Sequence, residues 1–197
     1  MRPVKVAHRT APELPPFNNT IKIVSIGESG IGKSQLLRML AGNGLFDERN
    51  ISTIGVDMLN MELESSYEKP LKVQLWDTAG QERYQAITRS YFRASHAVLL
   101  CFQIGDADSY NKMDAWHKEL KLMCPAARIC IVGTKADIHP PLTPPTPIAD
   151  PRYRDYPYYE TSAKSGLGLP LLKQFFFAVG DTQRRIAAEK ALARGEK

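Results

Sequence analysis

Gly27-Glu28-Ser29-Gly30-Ile31-Gly32-Lys33-Ser34 reads G-x-x-x-x-G-K-S, the spacing of a phosphate-binding loop. The residues before it, Ile21-Lys22-Ile23-Val24-Ser25-Ile26, form a β-branched run of strand length. Those after it, Gln35 to Ala41, are good helix formers with Leu36, Met39 and Leu40 on one face and Gly42 as a stop. Strand, glycine-rich loop and helix are the context the motif needs. The glycines let backbone N–H groups turn inward around an anion without a Cβ in the way. The helix N-terminus adds partial positive charge. Lys33 is placed to reach the β- and γ-phosphates, and the Ser34 hydroxyl to ligate Mg²⁺. The stretch alone does not say which nucleotide binds or whether it is hydrolysed.

Outward from this loop, strands and helices alternate. A loop over 42–54 precedes two strands joined by a turn. Leu59, Met61 and Leu63 alternate on the first, and Leu71, Val73 and Leu75 on the second. Asp77 closes the second strand. His96 to Phe102 and Arg128 to Val132 are short apolar strands. Between them Tyr110, Met113, His117, Leu120 and Cys124 recur at helical spacing. Asp108 or Ser109 is the expected cap of that helix, and Pro125 its end. Residues 138–157 hold seven of the fourteen prolines, a density that no ordinary helix survives, so a stiff surface loop is expected. It contains two P-x-x-P matches, a weak signal for an SH3-type ligand. Tyr158-Tyr159-Glu160 makes a last strand. Leu171, Leu172, Phe175, Phe176 and Val179 stripe a closing helix that frays after Gly180 but continues through Ile186 and Leu192. The fold class is α/β, a mostly parallel sheet with one antiparallel edge strand and helices on both faces, the phosphate loop lying at a strand's carboxyl end.

Length and composition narrow the functional classes. At 197 residues with 43% hydrophobic residues the chain suits one domain. No apolar run approaches a membrane span, and the N-terminus offers prolines and polar residues where a secretory signal needs an apolar segment, so a cytoplasmic location is expected. The formal charge of +5 comes from the ends, 1–20 and 183–197. The body between them is neutral, which argues against nucleic acid as a partner and leaves peripheral contact with an acidic membrane surface open. Three cysteines in or beside apolar elements read as buried and reduced. The expected organisation is a flexible, proline-containing basic extension over 1–20, a domain over 21–182 with the proline-rich loop 138–157, and a basic C-terminal tail over 183–197.

Five segments carry a resemblance to the Ras-like small GTPases: G-E-S-G-I-G-K-S (27–34), S-T-I-G-V-D (52–57), W-D-T-A-G-Q-E-R-Y (76–84), G-T-K-A-D (133–137) and E-T-S-A-K (160–164). The wording of the second and third, with Ser90-Tyr91-Phe92-Arg93, is similar to the Rab branch. The similarity covers about residues 20–180. It implies the P-loop NTPase (small G-protein) fold with a six-stranded sheet, GTP or GDP with Mg²⁺ as ligands, slow GTP hydrolysis, and regulation of vesicle traffic. The partners implied are an exchange factor, a GTPase-activating protein and effectors at the switch regions.

Site residues follow from the matched motifs. Ser29, Gly30, Ile31, Gly32, Lys33, Ser34 and Gln35 would surround the phosphates. Ser34 and, by resemblance, Thr53 would give hydroxyl oxygens to Mg²⁺, a hard cation, with Asp77 holding the metal's water. The Gly80 N–H would meet the γ-phosphate, and Gln81 would orient the attacking water, so Gln81 and Lys33 are the catalytic candidates. Asp137 can accept from guanine N1–H and its exocyclic amine. By resemblance Lys135 would lie over the base, Ala163, between Ser162 and Lys164, would donate a backbone N–H, and Phe46, with Leu45 as rival, would pack on the ring. Three departures stand out. Thr134 occupies the family's usual Asn position. The proline-rich run replaces a helix. No cysteine follows Cys130, so no C-a-a-X box operates in this sequence, and either a truncated tail or action without an own lipid is expected. Two other readings stay open: a nucleotide-bound interaction module that no longer switches, and an ATP-dependent P-loop kinase, which Asp137 and the T-S-A-K run oppose.

Overall fold

The computed structural model describes residues 18–42, 46–47, 53, 55–64, 69–78 and 92–194. Its centre is a sheet of six strands: β1 (Thr20–Ile26), β2 (Val56–Leu63), β3 (Leu71–Thr78), β4 (Ala97–Gln103), β5 (Arg128–Thr134) and β6 (Tyr158–Glu160). They lie in the order β2-β3-β1-β4-β5-β6. Only the β2–β3 pair is antiparallel, as the alternating hairpin residues predict. The inner strands are apolar on both sides, the pattern of a parallel sheet covered on two faces.

The side-chain period of two decides which face each residue feeds. In β4, Leu99 and Cys101 join one core, while Val98, Leu100 and Phe102 join the other. The first core is closed by α1 (Lys33–Ala41) and α3 (Leu169–Ala193). They contribute Leu36, Leu37 and Leu40, and Leu172, Phe175, Phe176 and Val179. The second is closed by α2 (Ala107–Met123) through Tyr110, Met113, Trp116 and Leu120. Helices thus cover both faces, as the sequence pattern predicts.

Three details differ from the sequence expectation. The cap of α2 is Asp106, whose carboxylate accepts from the N–H groups of Asp108 and Ser109; Ser109 instead donates its hydroxyl to the Asp106 carbonyl and accepts from Gln103 N–H. The closing helix, expected to fray after Gly180 on its way through Ile186 and Leu192, runs unbroken to Ala193 across the segment read as a basic tail. Its Arg184 is 3% exposed and donates to the Asn19 side chain and to Asp181, so it contributes packing and hydrogen bonds rather than a solvated charge. Asn19, at the end of the stretch read as a flexible extension, is fixed in turn, because its carbonyl accepts from Lys72 N–H at 2.7 Å.

Between β5 and β6 no α-helix forms. The proline-rich segment runs as turns with one short 3₁₀ helix, Pro147–Ala149. It is docked on α2 by aromatic side chains. Tyr153 is fully buried and meets the Tyr110 and His117 rings edge-on at 5.9 and 5.4 Å. The Tyr110 hydroxyl donates to Asp150 at 3.0 Å, and the Tyr156 hydroxyl lies 2.9 Å from His117 Nε2. Leu142, at φ +57°, and the turn bond from Thr143 N–H to the Pro140 carbonyl break the extended left-handed helix that a P-x-x-P ligand presents.

Candidate functional site

The carboxyl ends of β1, β3, β5 and β6 converge on one rim of the sheet. The phosphate loop leaves β1 at Ile26. Gly27 is required there by space: a Cβ would collide with the Cys101 carbonyl of β4. Gly32 is required by conformation, since it caps α1 at φ +97° with no side-chain cap. Lys33 then folds back over the loop, 5% exposed, and its ammonium donates to the carbonyls of Gly27 (2.9 Å) and Glu28 (2.6 Å). Burial lowers the Lys33 pKa, opposed by Cys101, Asp77 and Glu28. Burial likewise raises that of Asp77, opposed by hydrogen bonds from Ser34, Thr53 and Ser25 and by the Lys33 charge. Burial thus disfavours both charged forms, and a polyanion with a divalent cation would add counter-charge to what Lys33 and Asp77 give each other.

The candidate metal ligands meet. The Ser34 and Thr53 hydroxyls are 2.6 Å apart, and Thr53 donates to Asp77 Oδ2 at 3.2 Å. Strand register explains part of this: Asp77 stands opposite Ser25 of β1, whose hydroxyl lies 3.4 Å from its other oxygen. Two hydroxyls and one carboxylate are an oxygen donor set that fits a hard cation. Among the described residues no cluster of three His, Cys, Asp or Glu side chains exists elsewhere to compete.

Beside the loop opens a cavity of about 230 Å³, lined among others by Gly32, Gln35, Phe46, Thr134, Lys135, Asp137, Ala163 and Lys164. Lys135 adopts the left-handed region at φ +59°, which aims its stem along Gly32 and lets its ammonium donate to the Gly30 carbonyl at 3.0 Å. Asp137 accepts from the Ser162 hydroxyl at 2.6 Å; Ser162 is fully buried and so orients the carboxylate. Thr134, the departure from the family's Asn, is 3% exposed. Its hydroxyl sits 2.6 Å from the Ile31 carbonyl and 3.0 Å from the Phe102 carbonyl. A hydroxyl carries one proton, which the Ile31 and Phe102 carbonyls share, so Thr134 ties β5 to the phosphate loop.

Of the sequence-predicted residues, Lys33, Ser34, Thr53 and Asp77 come together, as do Gln35, Phe46, Lys135, Asp137, Ala163 and Lys164. Ile31 is buried, while Ser29 and Gly30 are exposed on the loop's outer turn. Gly80, Gln81 and Leu45 lie outside the described residues. Sequence reasoning missed Thr161 and Ile138 in the cavity wall. Thr161 was findable as a neighbour of Ser162; its hydroxyl donates to Gly133 O. It also missed Lys112 of α2, which reaches Glu28 of the loop at 3.3 Å. The three cysteines are free and buried, and burial pushes the Cys101 thiol up to about 12.

A family model described as the Ras family matches residues 22–182. Ras-related protein Rab-1C of Dictyostelium discoideum is 37% identical over 159 residues, 79% of this chain and 78% of the relative. GTP-binding protein YPTM2 of Zea mays is 34% identical over 183 residues, 91% and 88% of the two chains. GTP-binding protein ypt1 of Schizosaccharomyces pombe is 39% identical over 127 residues, 63% and 61%. Among the described residues no helix is long and apolar enough to cross a membrane.

Proposed function

The chain belongs to the Ras family, as a Rab-like small GTPase of the membrane-trafficking type, and on that premise we propose that it is a guanine-nucleotide switch that hydrolyses GTP slowly. The observation that carries the reading is the convergence of Lys33, Ser34, Thr53 and Asp77 on one rim with the cavity that holds Asp137. Thr53 belongs to a different segment from the phosphate loop, so its place beside Ser34 and Asp77 is one that a bound γ-phosphate and cation would favour and their loss would release.

Each side chain has a definable task. Lys33 exchanges the two loop carbonyls for the far stronger acceptor of a phosphate oxygen. Ser34, Thr53 and Asp77 would hold Mg²⁺, which when bound neutralises charge on the phosphate oxygens. Asp137, fixed by Ser162, accepts the two N–H groups that guanine presents and adenine lacks. Lys135 lays its apolar stem along one wall of the cavity, and Phe46 contributes another. Gln81 is assigned to orient the water that attacks the γ-phosphorus, its amide both accepting and donating. With no arginine assigned to the transition state, turnover is expected at about 10⁻⁴ to 10⁻² s⁻¹ until a partner accelerates it. Exchange factor, GTPase-activating protein and effector would act at the segments that carry Thr53 and Gln81, and peripheral contact with endomembranes would place the switch.

The test is single-turnover hydrolysis by the Gln81→Leu variant. It should bind GTP as well as the parent and lose most of its hydrolysis, at least about tenfold. Turnover equal to the parent's contradicts the switch mechanism and favours a nucleotide-bound interaction module.

A further inference from the structure

We propose that Thr143, in the proline-rich segment, is a phosphorylation site for a proline-directed serine/threonine protein kinase, and that phosphate there detaches the first half of the segment from β6. The sequence Pro140-Pro141-Leu142-Thr143-Pro144-Pro145-Thr146-Pro147 contains P-x-T-P twice, at 141–144 and 144–147. A kinase of this class takes an extended substrate and seats a proline after the acceptor, a residue with no N–H to be satisfied in that pocket. Two overlapping copies on a segment that replaces a helix are a stronger pattern than one Thr-Pro pair.

The fold separates the two threonines. Around Thr143, Pro141 and Pro144 are exposed and Leu142 is 53% exposed. Around Thr146, the following proline, Pro147, is buried, and the Thr146 hydroxyl oxygen accepts from Ile148 N–H as the cap of the 3₁₀ helix. A kinase could seat Pro144 without disturbing the core, whereas seating Pro147 would require pulling it out. Three hydrogen bonds hold this half in place: Leu142 N–H to Glu160 Oε1 at 2.8 Å, and Thr143 N–H and hydroxyl to the Pro140 carbonyl at 3.3 and 2.6 Å. Breaking these three bonds frees the acceptor to extend. The second half stays seated through Pro147, Tyr153 and Tyr156.

The reaction is ordinary phosphoryl transfer. The Thr143 Oγ1 attacks the γ-phosphorus of ATP bound to the kinase. A new O–P bond forms, the bond from the γ-phosphorus to the bridging oxygen breaks, ADP leaves, and the hydroxyl proton passes to the kinase's carboxylate base. The product carries a charge of about −1.5 to −2. It sits one residue from the amide that the Glu160 carboxylate holds, and Glu160 is already shared with the Tyr158 hydroxyl at 3.1 Å. Like charges this close oppose the tether.

The test uses the full chain with an active proline-directed kinase and Mg²⁺–ATP, read by mass spectrometry. The parent should take up one phosphate, at Thr143. Thr143→Ala should abolish uptake and Thr146→Ala should retain it. Pro144→Ala, which keeps the hydroxyl, should slow uptake at least about tenfold. In the phosphorylated chain, hydrogen exchange at the Leu142 amide should quicken at least about tenfold while that of Tyr153, bonded to the Asp150 carbonyl, is unchanged. No uptake by the parent, uptake at Thr146 in place of Thr143, equal rates with Pro144→Ala, or unaltered Leu142 exchange would each overturn the proposal. None of these readouts depends on the nucleotide this chain binds.

Discussion

The phosphate loop and the proline-rich segment both leave the carboxyl end of a parallel strand, yet opposite means hold them in place. The loop is fixed by polar groups on its backbone carbonyls: glycines at positive φ shape it, the Lys33 ammonium bonds two of its carbonyls, and a hydroxyl from Thr134 bonds a third. The segment is fixed from outside, by Tyr153 and Tyr156 inserted among Tyr110 and His117 of α2, by the Tyr110 hydroxyl on Asp150 at 3.0 Å, and by Arg152 on Asp114 of α2 at 3.6 Å. A loop that must open toward an anion keeps polar groups turned inward and needs counter-charge. A segment that only bridges two strands can close with apolar area. The difference teaches that docking the segment and binding a ligand are separable properties of this chain.

Substitutions can break that separation or sharpen it. Tyr153→Ala should have the largest effect, about 3–5 kcal/mol of lost stability, as for an aromatic removed from a core. Nucleotide stoichiometry in the folded fraction should stay the same. Urea unfolding of the loaded and unloaded protein measures both, and a matching loss of nucleotide would join the two regions into one unit. Tyr153→Phe should cost little, because its buried hydroxyl has no hydrogen-bond partner among the described residues. Thr134→Val acts on the other region. It leaves the Ile31 and Phe102 carbonyls without their donor, at about 1–3 kcal/mol. The nucleotide should then leave about tenfold faster, as fluorescent-analogue release would read; an unchanged rate would mean the Ile31 tie does not shape the phosphate loop.

The smallest effect is one of pH. Burial lowers the His117 pKa below its ordinary 6.5, helped by Lys121 and Arg152 and opposed by Asp114. The unfolded chain therefore binds a proton that the fold resists, and stability falls as pH drops below about 6.5. His117→Gln should flatten that fall between pH 7 and 5 in thermal melts; a parallel fall in both proteins would assign it elsewhere. Asp150 acts later. Arg152 holds its carboxyl down to about 2, so its contribution is present above the ordinary carboxylate range and lost as pH approaches 2.

What the sequence made legible follows the same division. The phosphate loop is a local object: spacing and residue type determine its φ angles, so Lys33 and Ser34 could be named directly. Asp77 was placed because it ends its strand, and Asp137 because it closes the G-T-K-A-D run that carries the family resemblance. The cap at Asp106 was missed by two residues because Asp106, Asp108 and Ser109 can each cap and only the backbone path out of β4 chooses. The aromatic docking of Tyr153 and Tyr156 was illegible, since it depends on partners about 40 positions away on α2 and no periodicity marks a side chain anchored from a loop. Thr134 was legible as a departure, but its hydrogen bond to Ile31, 103 positions away, required the fold.

The central claim is that one rim binds a guanine nucleotide, and calorimetric titration of GDP and of ADP into the chain with Mg²⁺ tests it most directly. Each unmatched hydrogen bond to the Asp137 carboxylate should cost about 1.5–3 kcal/mol, so GDP should bind at least about a hundredfold more tightly than ADP. Equal affinity for the two, or no binding of GDP, would contradict the account.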